Sequence, residues 1–199
     1  MAQRTGILLL VSGPSGSGKT TLCRQVARSG EAHYSVSCTT RPPREGEVNG
    51  RDYHFLSRAD FEADVEAGRF LEHAEVHGNF YGTLLTEVLE YINLGKDVVM
   101  DIDVQGAAQV RACTDPSIRN ALVDLFVMPP SEEELYKRLS GRGTDAEDVI
   151  ALRMKNALEE MAHWSDYQYC LLSGNRADDD ARFTSLLVAE RLRGSRLTI

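Results

Sequence analysis

The sequence predicts an α/β fold, a parallel sheet with helices on both faces, from three observations. Short apolar runs alternate with helical stretches along the chain, as in a sheet built through crossover helices. The run Ile7 to Val11 leads directly into Gly13-Pro14-Ser15-Gly16-Ser17-Gly18-Lys19-Thr20, which meets G-x-x-x-x-G-K-[S/T] at every fixed position. The residues that follow, Thr21 to Arg28, read as a helix. At 199 residues the chain suits one compact core with smaller inserted lobes.

In chain order, core strands are predicted at 7–11, 97–102, 121–127 and 167–172. Each is a short apolar run between turn or helix signals. Helices are predicted at 19–28, 84–94, 132–140, 147–163 and 179–193. Ser131 to Glu134 and Thr144 to Glu147 read as capping boxes. Gly95 is placed to close the helix before it. Two regions break the alternation. The span from about Ser35 to Tyr81 is rich in Tyr, Phe, Arg, Gly and Glu, with mixed strand and turn signals. The span from Pro129 to Trp164 is helical and charged. Both are expected to be lobes inserted into the sheet core, able to close over a substrate and exclude water.

The glycine-rich loop makes the core a P-loop NTPase-type sheet. Its backbone N–H groups and the following helix N-terminus face a polyphosphate. Lys19 is placed to reach the β- and γ-phosphates, and the Thr20 hydroxyl to ligate Mg²⁺. A chain this long matches the pattern by chance roughly once in 150, so the loop indicates nucleotide phosphate without indicating a reaction.

Composition narrows the setting. The formal charge is −8, which argues against broad nucleic-acid or membrane-surface binding. No apolar run approaches the roughly 20 residues that span a bilayer. The N-terminus carries no export signal, and a cytoplasmic protein is expected. Cys23, Cys38, Cys113 and Cys170 form no C-x-x-C pair, which fits a reducing compartment and suggests neither zinc nor disulfides. The chain has 18 Arg and 4 Lys. Arg binds phosphate through a planar fork that Lys lacks.

Further motifs carry a family resemblance. They are Ser37 to Phe55, containing Arg41-Pro42-Pro43-Arg44; Glu72 to Thr83; Asp101-Ile102-Asp103-Val104-Gln105-Gly106-Ala107; and Arg138-Leu139-Ser140-Gly141-Arg142-Gly143-Thr144-Asp145. In this order and spacing, with the loop at 13–20, the chain resembles the guanylate kinase family over almost its whole length. The resemblance implies transfer of the ATP γ-phosphate to GMP with Mg²⁺, giving ADP and GDP. It implies a core of residues 1–34, 95–129 and 165–199, a GMP-binding lobe at 35–94 and a helical lid at 130–164.

Residue chemistry agrees with what the resemblance implies. Pro42 and Pro43 stiffen the segment between Arg41 and Arg44, so both guanidinium groups can be held toward one anion. Tyr53 and Tyr81 can donate to the same anion. By resemblance these four hold the GMP phosphate. Glu72 matches the guanine-reading carboxylate, which accepts from N1–H and N2–H₂; adenine lacks that donor pair. Ser37 and Thr83 match the hydroxyls that help read the base, and Asp103 adds a second carboxylate. Asp101 is expected to hold Mg²⁺ with Thr20, directly or through water. Arg138, Arg142 and Arg153 resemble lid arginines that meet charge on the transferred phosphoryl group.

One segment departs from the family. Ser173 stands where members carry an Asn associated with the adenine site, and Asn175 could replace it only if the loop is rearranged. Three other readings remain: a noncatalytic guanylate-kinase-like binding module, a same-fold kinase acting on a ribose phosphate, and a generic P-loop ATPase or GTPase. Intact Lys19 and Thr20 oppose the first, and the guanine-reading set opposes the second. The sequence leaves the oligomeric state open.

Overall fold

The computed structural model describes residues 3–141 and 147–198. In chain order, its first half contains strands β1 (Gln3–Arg4), β2 (Leu8–Ser12), β3 (His33–Tyr34), β4 (Cys38–Thr39), β5 (His54–Phe55), β6 (Phe70–Val76) and β7 (Asn79–Leu84). The helices there are α1 (Lys19–Arg28), α2 (Arg58–Glu66) and α3 (Leu85–Ile92). The second half contains β8 (Val98–Asp101), β9 (Leu122–Met128), β10 (Tyr169–Leu172) and β11 (Leu197–Thr198). Its helices are α4 (Val104–Ala112), α5 (Pro116–Ala121), α6 (Glu132–Ser140), α7 (Glu147–Met161) and α8 (Arg176–Arg191).

Five strands form an all-parallel sheet in the order β10-β9-β2-β8-β3. The strand that carries the glycine-rich loop, β2, lies in the middle. Chain order reverses around it, so a crevice opens at its carboxyl end. Residues Ile7 to Val11 are all 0% exposed, as a strand covered on both faces must be. Ile7, Leu9 and Val11 pack with Leu22 and Val26 of α1 and Phe183 and Leu187 of α8. Leu8 and Leu10 face the other way, onto Val88 and Ile92 of α3, Val110 of α4 and Ile118 of α5. Each such side chain contributes roughly 1.5–3 kcal/mol on burial, so the strand before the loop is among the firmest parts of the molecule. The buried Asp97 fixes its start: the carboxylate accepts from Ile7 N at 2.9 Å, Arg4 Nη1 at 2.6 Å and Arg191 Nε at 2.7 Å.

A second sheet, ordered β5-β4-β7-β6, comes from the first irregular span. β4 and β5 are parallel; the other pairs are antiparallel. β6 and β7 form a hairpin through His77 and Gly78, whose φ angles of 51° and 79° suit the tight turn that matches strand twist. Phe61 of α2 is fully buried and stacks on Phe70 and Phe80, with centroids 4.3 and 5.3 Å apart. α6 and α7 form a small helical pair, with Leu135 and Leu139 packed against Ala157. β1 and β11 join the two ends of the described chain. No helix among the described residues is long and apolar enough to cross a membrane.

The structure departs from the sequence expectations in several places. α3 falls within the expected 35–94 lobe, yet its apolar face packs on the parallel sheet through Val88 and Ile92. Tyr167 precedes β10 and packs edge-on against Phe126. α8 begins three residues earlier than expected because the Asn175 side chain accepts from Asp178 N and caps it. Ser131 caps α6 as predicted, accepting from Glu134 N at 3.1 Å. The second predicted box begins at Thr144, outside the described residues. Gly95 closes α3 at φ 72°, with its own N–H on Ile92 O and the Lys96 N–H on Tyr91 O.

Candidate active site

The donor end is built mainly from backbone. β2 delivers the loop and α1 begins at Lys19. Gly13 passes so close to β9 that a Cβ would lie 2.4 Å from Val127 O. Gly18 stands at the N-cap of α1 with φ 99° and no side-chain cap, so the positive end of the helix is left to a ligand. The Ser17 hydroxyl is buried without a hydrogen-bond partner among the described residues. Gly16 faces α6: a Cβ there would meet Leu139 and Leu135 at 3.4 and 3.5 Å.

Thr20 and Asp101 meet. The threonine hydroxyl donates to Asp101 Oδ2. The contact follows from topology: Asp101 ends β8 beside Val11, and Thr20 lies in the first turn of the helix leaving the loop. A hydroxyl and a carboxylate, completed by phosphate oxygens and water, are the hard oxygen ligands Mg²⁺ prefers. The residues present therefore fit that ion.

A cavity of about 420 Å³ runs from this pair into the second sheet. Its far end holds Glu72, Ser37 and Thr83. The hairpin places Glu72 opposite Thr83, and Ser37 Oγ lies 3.2 Å from Thr83 Oγ1. Burial pushes the Glu72 carboxyl above the ordinary carboxylate range; hydrogen bonds from Thr83 oppose the shift, and the nearby Asp103 charge adds to it. A Cβ on Gly106 would stand 2.7 Å from the Ile102 side chain and 3.3 Å from Glu72 Oε2, so α4 starts close against this part of the cavity. Asp103 itself caps α4, with Oδ1 accepting from Gly106 N at 2.7 Å.

Arg41, Arg44, Tyr53 and Tyr81 come together beside this cavity. Arg41 Cζ lies 5.6 Å from the Tyr53 ring centroid, and Tyr53 meets Tyr81 edge-on at 6.1 Å. Glu47, which the sequence reading did not single out, organises them. Its two oxygens accept from Arg41 Nη2 at 2.9 and 3.0 Å, and Oε2 accepts from Arg44 N at 2.7 Å. The available signal was its place three residues after Arg44 in a tight turn, where Glu47 N donates to Arg44 O.

Arg138 Nε pairs with Glu134 Oε1 at 3.1 Å, and its Nη1 donates to Ser173 Oγ at 3.2 Å. Those two residues line a smaller cavity of about 170 Å³ beside Ser17 and Thr21. Asn175 is occupied with capping α8, so it does not stand in for Ser173. Arg153 lies half-buried on α7, one turn before the buried Ala157. Arg142 lies outside the described residues. Two further groups went unnoticed in the sequence: Arg24 and Asp52 both line the larger cavity.

The guanylate kinase family model matches residues 5–184. The chain belongs to the guanylate kinase family. It is 46% identical to the guanylate kinase of Cereibacter sphaeroides over 194 residues, covering 97% of this chain and 90% of that protein. It is 44% identical to the guanylate kinase of Syntrophotalea carbinolica, covering 98% and 91%. Among solved structures it resembles guanylate kinase from Anaplasma phagocytophilum, with a TM-score of 0.76, 31% identity, and coverage of 98% and 92%. The guanylate kinase match spans both sheets and the α6–α7 pair, so the P-loop and the Ser37–Thr83 set lie within it.

Proposed function

We propose that the protein is an ATP:GMP phosphotransferase, forming ADP and GDP. One observation carries this reading: one cavity is lined by the Thr20–Asp101 pair, by Glu72, Ser37 and Thr83, and by Arg44 and Tyr53. Phosphate chemistry at one end and a guanine-reading carboxylate at the other match the two ends of GMP presented to ATP. Membership of the guanylate kinase family supports the same conclusion.

The chain's residues divide the work. Residues 13–20 hold the donor phosphates. Glu72 accepts from guanine N1–H and N2–H₂, while Ser37 and Thr83 supply hydroxyls beside it. Arg41, Arg44, Tyr53 and Tyr81 hold the GMP phosphate and aim one of its oxygens at the ATP γ-phosphorus. A bond forms between that oxygen and phosphorus as the bond from phosphorus to the β,γ-bridging oxygen breaks, leaving ADP. Thr20 and Asp101 would hold Mg²⁺, directly or through water, and the ion would supply positive charge to the donor oxygens. The attacking oxygen belongs to a phosphate whose second pKa is about 6, so near neutral pH no protein base is needed. Lys19 and Arg138, with Arg142 and Arg153 assigned by resemblance, balance the charge that two approaching anions bring together. Residues 35–84, without α3, act as the acceptor lobe and 130–164 as the lid.

A coupled assay with MgATP and each of GMP, AMP, UMP and CMP tests this reading. GDP should form at least 100-fold faster per molar acceptor than any other diphosphate, a conservative margin for a site that pairs with substrate N–H groups. Equal rates on GMP and AMP, or ATP hydrolysis indifferent to GMP, would overturn it.

A further inference from the structure

Resting on this reading, we propose that Arg24 is an additional contact to the acceptor's phosphate, fixed to the core rather than carried by the acceptor lobe. Arg24 follows Thr20 by four residues in α1, so the two share one helix face. Thr20 is turned toward Asp101, and the same face carries Arg24 to the wall of the cavity. Among the described residues, Arg24 and Arg44 are the cations on that wall, the first from α1 and the second from the segment between β4 and β5. Arg44 belongs to the segment organised by Glu47. Arg24 belongs to the helix that begins at the phosphate loop.

The cavity wall also carries Asp101, Glu47, Asp52 and Glu72, so the free pocket is rich in negative charge where a phosphate dianion must enter. Arg24 is exposed and supplies positive charge toward the Tyr34 hydroxyl and the Asp52 carboxylate. Asp52 already accepts from Val48 N at 2.8 Å and from Arg51. Arg24 also hydrogen-bonds the Tyr34 hydroxyl, which uses one of the five donors of its guanidinium and leaves the rest of the planar fork for phosphate oxygens. A cation on α1 keeps its distance to the phosphate loop whatever the acceptor lobe does. It therefore meets the acceptor phosphate on the donor side, opposite Arg41 and Arg44.

The test is equilibrium binding of GMP and of guanosine, without ATP, to the wild-type chain and to Arg24→Ala, Arg24→Lys and Asp52→Asn. Circular dichroism melts confirm folding, which an exposed position leaves intact. GMP should bind Arg24→Ala about tenfold more weakly, guanosine within twofold of wild type, and Arg24→Lys in between. Asp52→Asn should not reproduce the loss. Unchanged GMP affinity in Arg24→Ala overturns the inference, as does an equal loss for guanosine. A matching loss in Asp52→Asn also overturns it, because it would make the pair a latch across the cleft. A wild-type chain that binds neither ligand overturns the functional reading, and this inference with it; the other outcomes leave that reading standing.

Discussion

The donor and acceptor ends of the cavity are made in different ways. The donor end is a loop between a fully buried strand and a helix N-terminus, where backbone groups are placed to do most of the binding. The acceptor end is a set of side chains on a second sheet, set in place by one hairpin register and by the carboxylate of Glu47. ATP offers a polyphosphate, which backbone N–H groups recognise with little regard to sequence. GMP must be told from other monophosphates, and that requires a side chain whose lone pairs match its base. The rigid end is general, and the adjustable end is selective.

The largest expected effect falls on the rigid end. Lys19→Met should lower kcat about 10²–10³-fold, in line with removal of one preorganised charge from a transition state. GMP affinity measured by calorimetry should stay within twofold of wild type. A loss of GMP affinity as large as the loss of rate would blur the division between the two ends.

Glu47→Gln is the next largest. It keeps the shape of the side chain but loosens the hold on Arg41 and on the backbone of Arg44. KM for GMP should rise about tenfold, as expected for displaced positioning groups, with KM for ATP unchanged. If Glu47 only lends stability to the turn, the melting temperature will fall while KM for GMP stays the same.

The pH dependence sharpens the selective end. The Glu72 carboxyl is raised in the folded chain, chiefly by burial. A group raised on folding stabilises the fold below its unfolded pKa, and that contribution is lost as pH rises through the higher folded value. Glu72→Gln should therefore melt at a higher temperature than wild type at neutral pH. GMP binding needs the ionised form, so KM for GMP in the wild type should begin to rise on acidification at a higher pH than an unperturbed glutamate would give. A rise confined to the ordinary carboxylate range would contradict the buried setting of Glu72.

The smallest effect lies away from both ends and serves as a control. Gly95→Ala forces a side chain into φ 72° and places its Cβ 2.8 Å from Arg4 O. Left-handed backbone costs roughly 1–2 kcal/mol for a residue with a Cβ, which in a domain this size lowers Tm by roughly 2–8 °C. KM for both substrates should be unaffected.

The same contrast explains what could be read from the sequence. The donor loop was legible because its residues are contiguous and each has a fixed task. The core strands were legible because two-sided burial leaves an unbroken apolar run, as at Ile7 to Val11. The acceptor set was legible only through the family's spacing, because Glu72 and Thr83 become neighbours only across a hairpin. Glu47 and Arg24 were missed because a single charged residue in a turn or on a helix face looks solvated until its partners are placed. α4 and α5 were missed although Asp103, Asp115 and Pro116 mark their starts, because the short helices between carry weak periodicity. The segment at Ser173 was read as a departure from the family, and the structure gives that serine a contact to Arg138.

The central claim is that the two ends are separable, and one crossed binding measurement tests it most directly. GMP and a nonhydrolysable ATP analogue are titrated separately into Glu72→Gln and Lys19→Met. The account predicts that Glu72→Gln loses GMP affinity at least tenfold and keeps the ATP analogue, while Lys19→Met weakens the ATP analogue and keeps GMP. Equal losses of both ligands in either variant would contradict it.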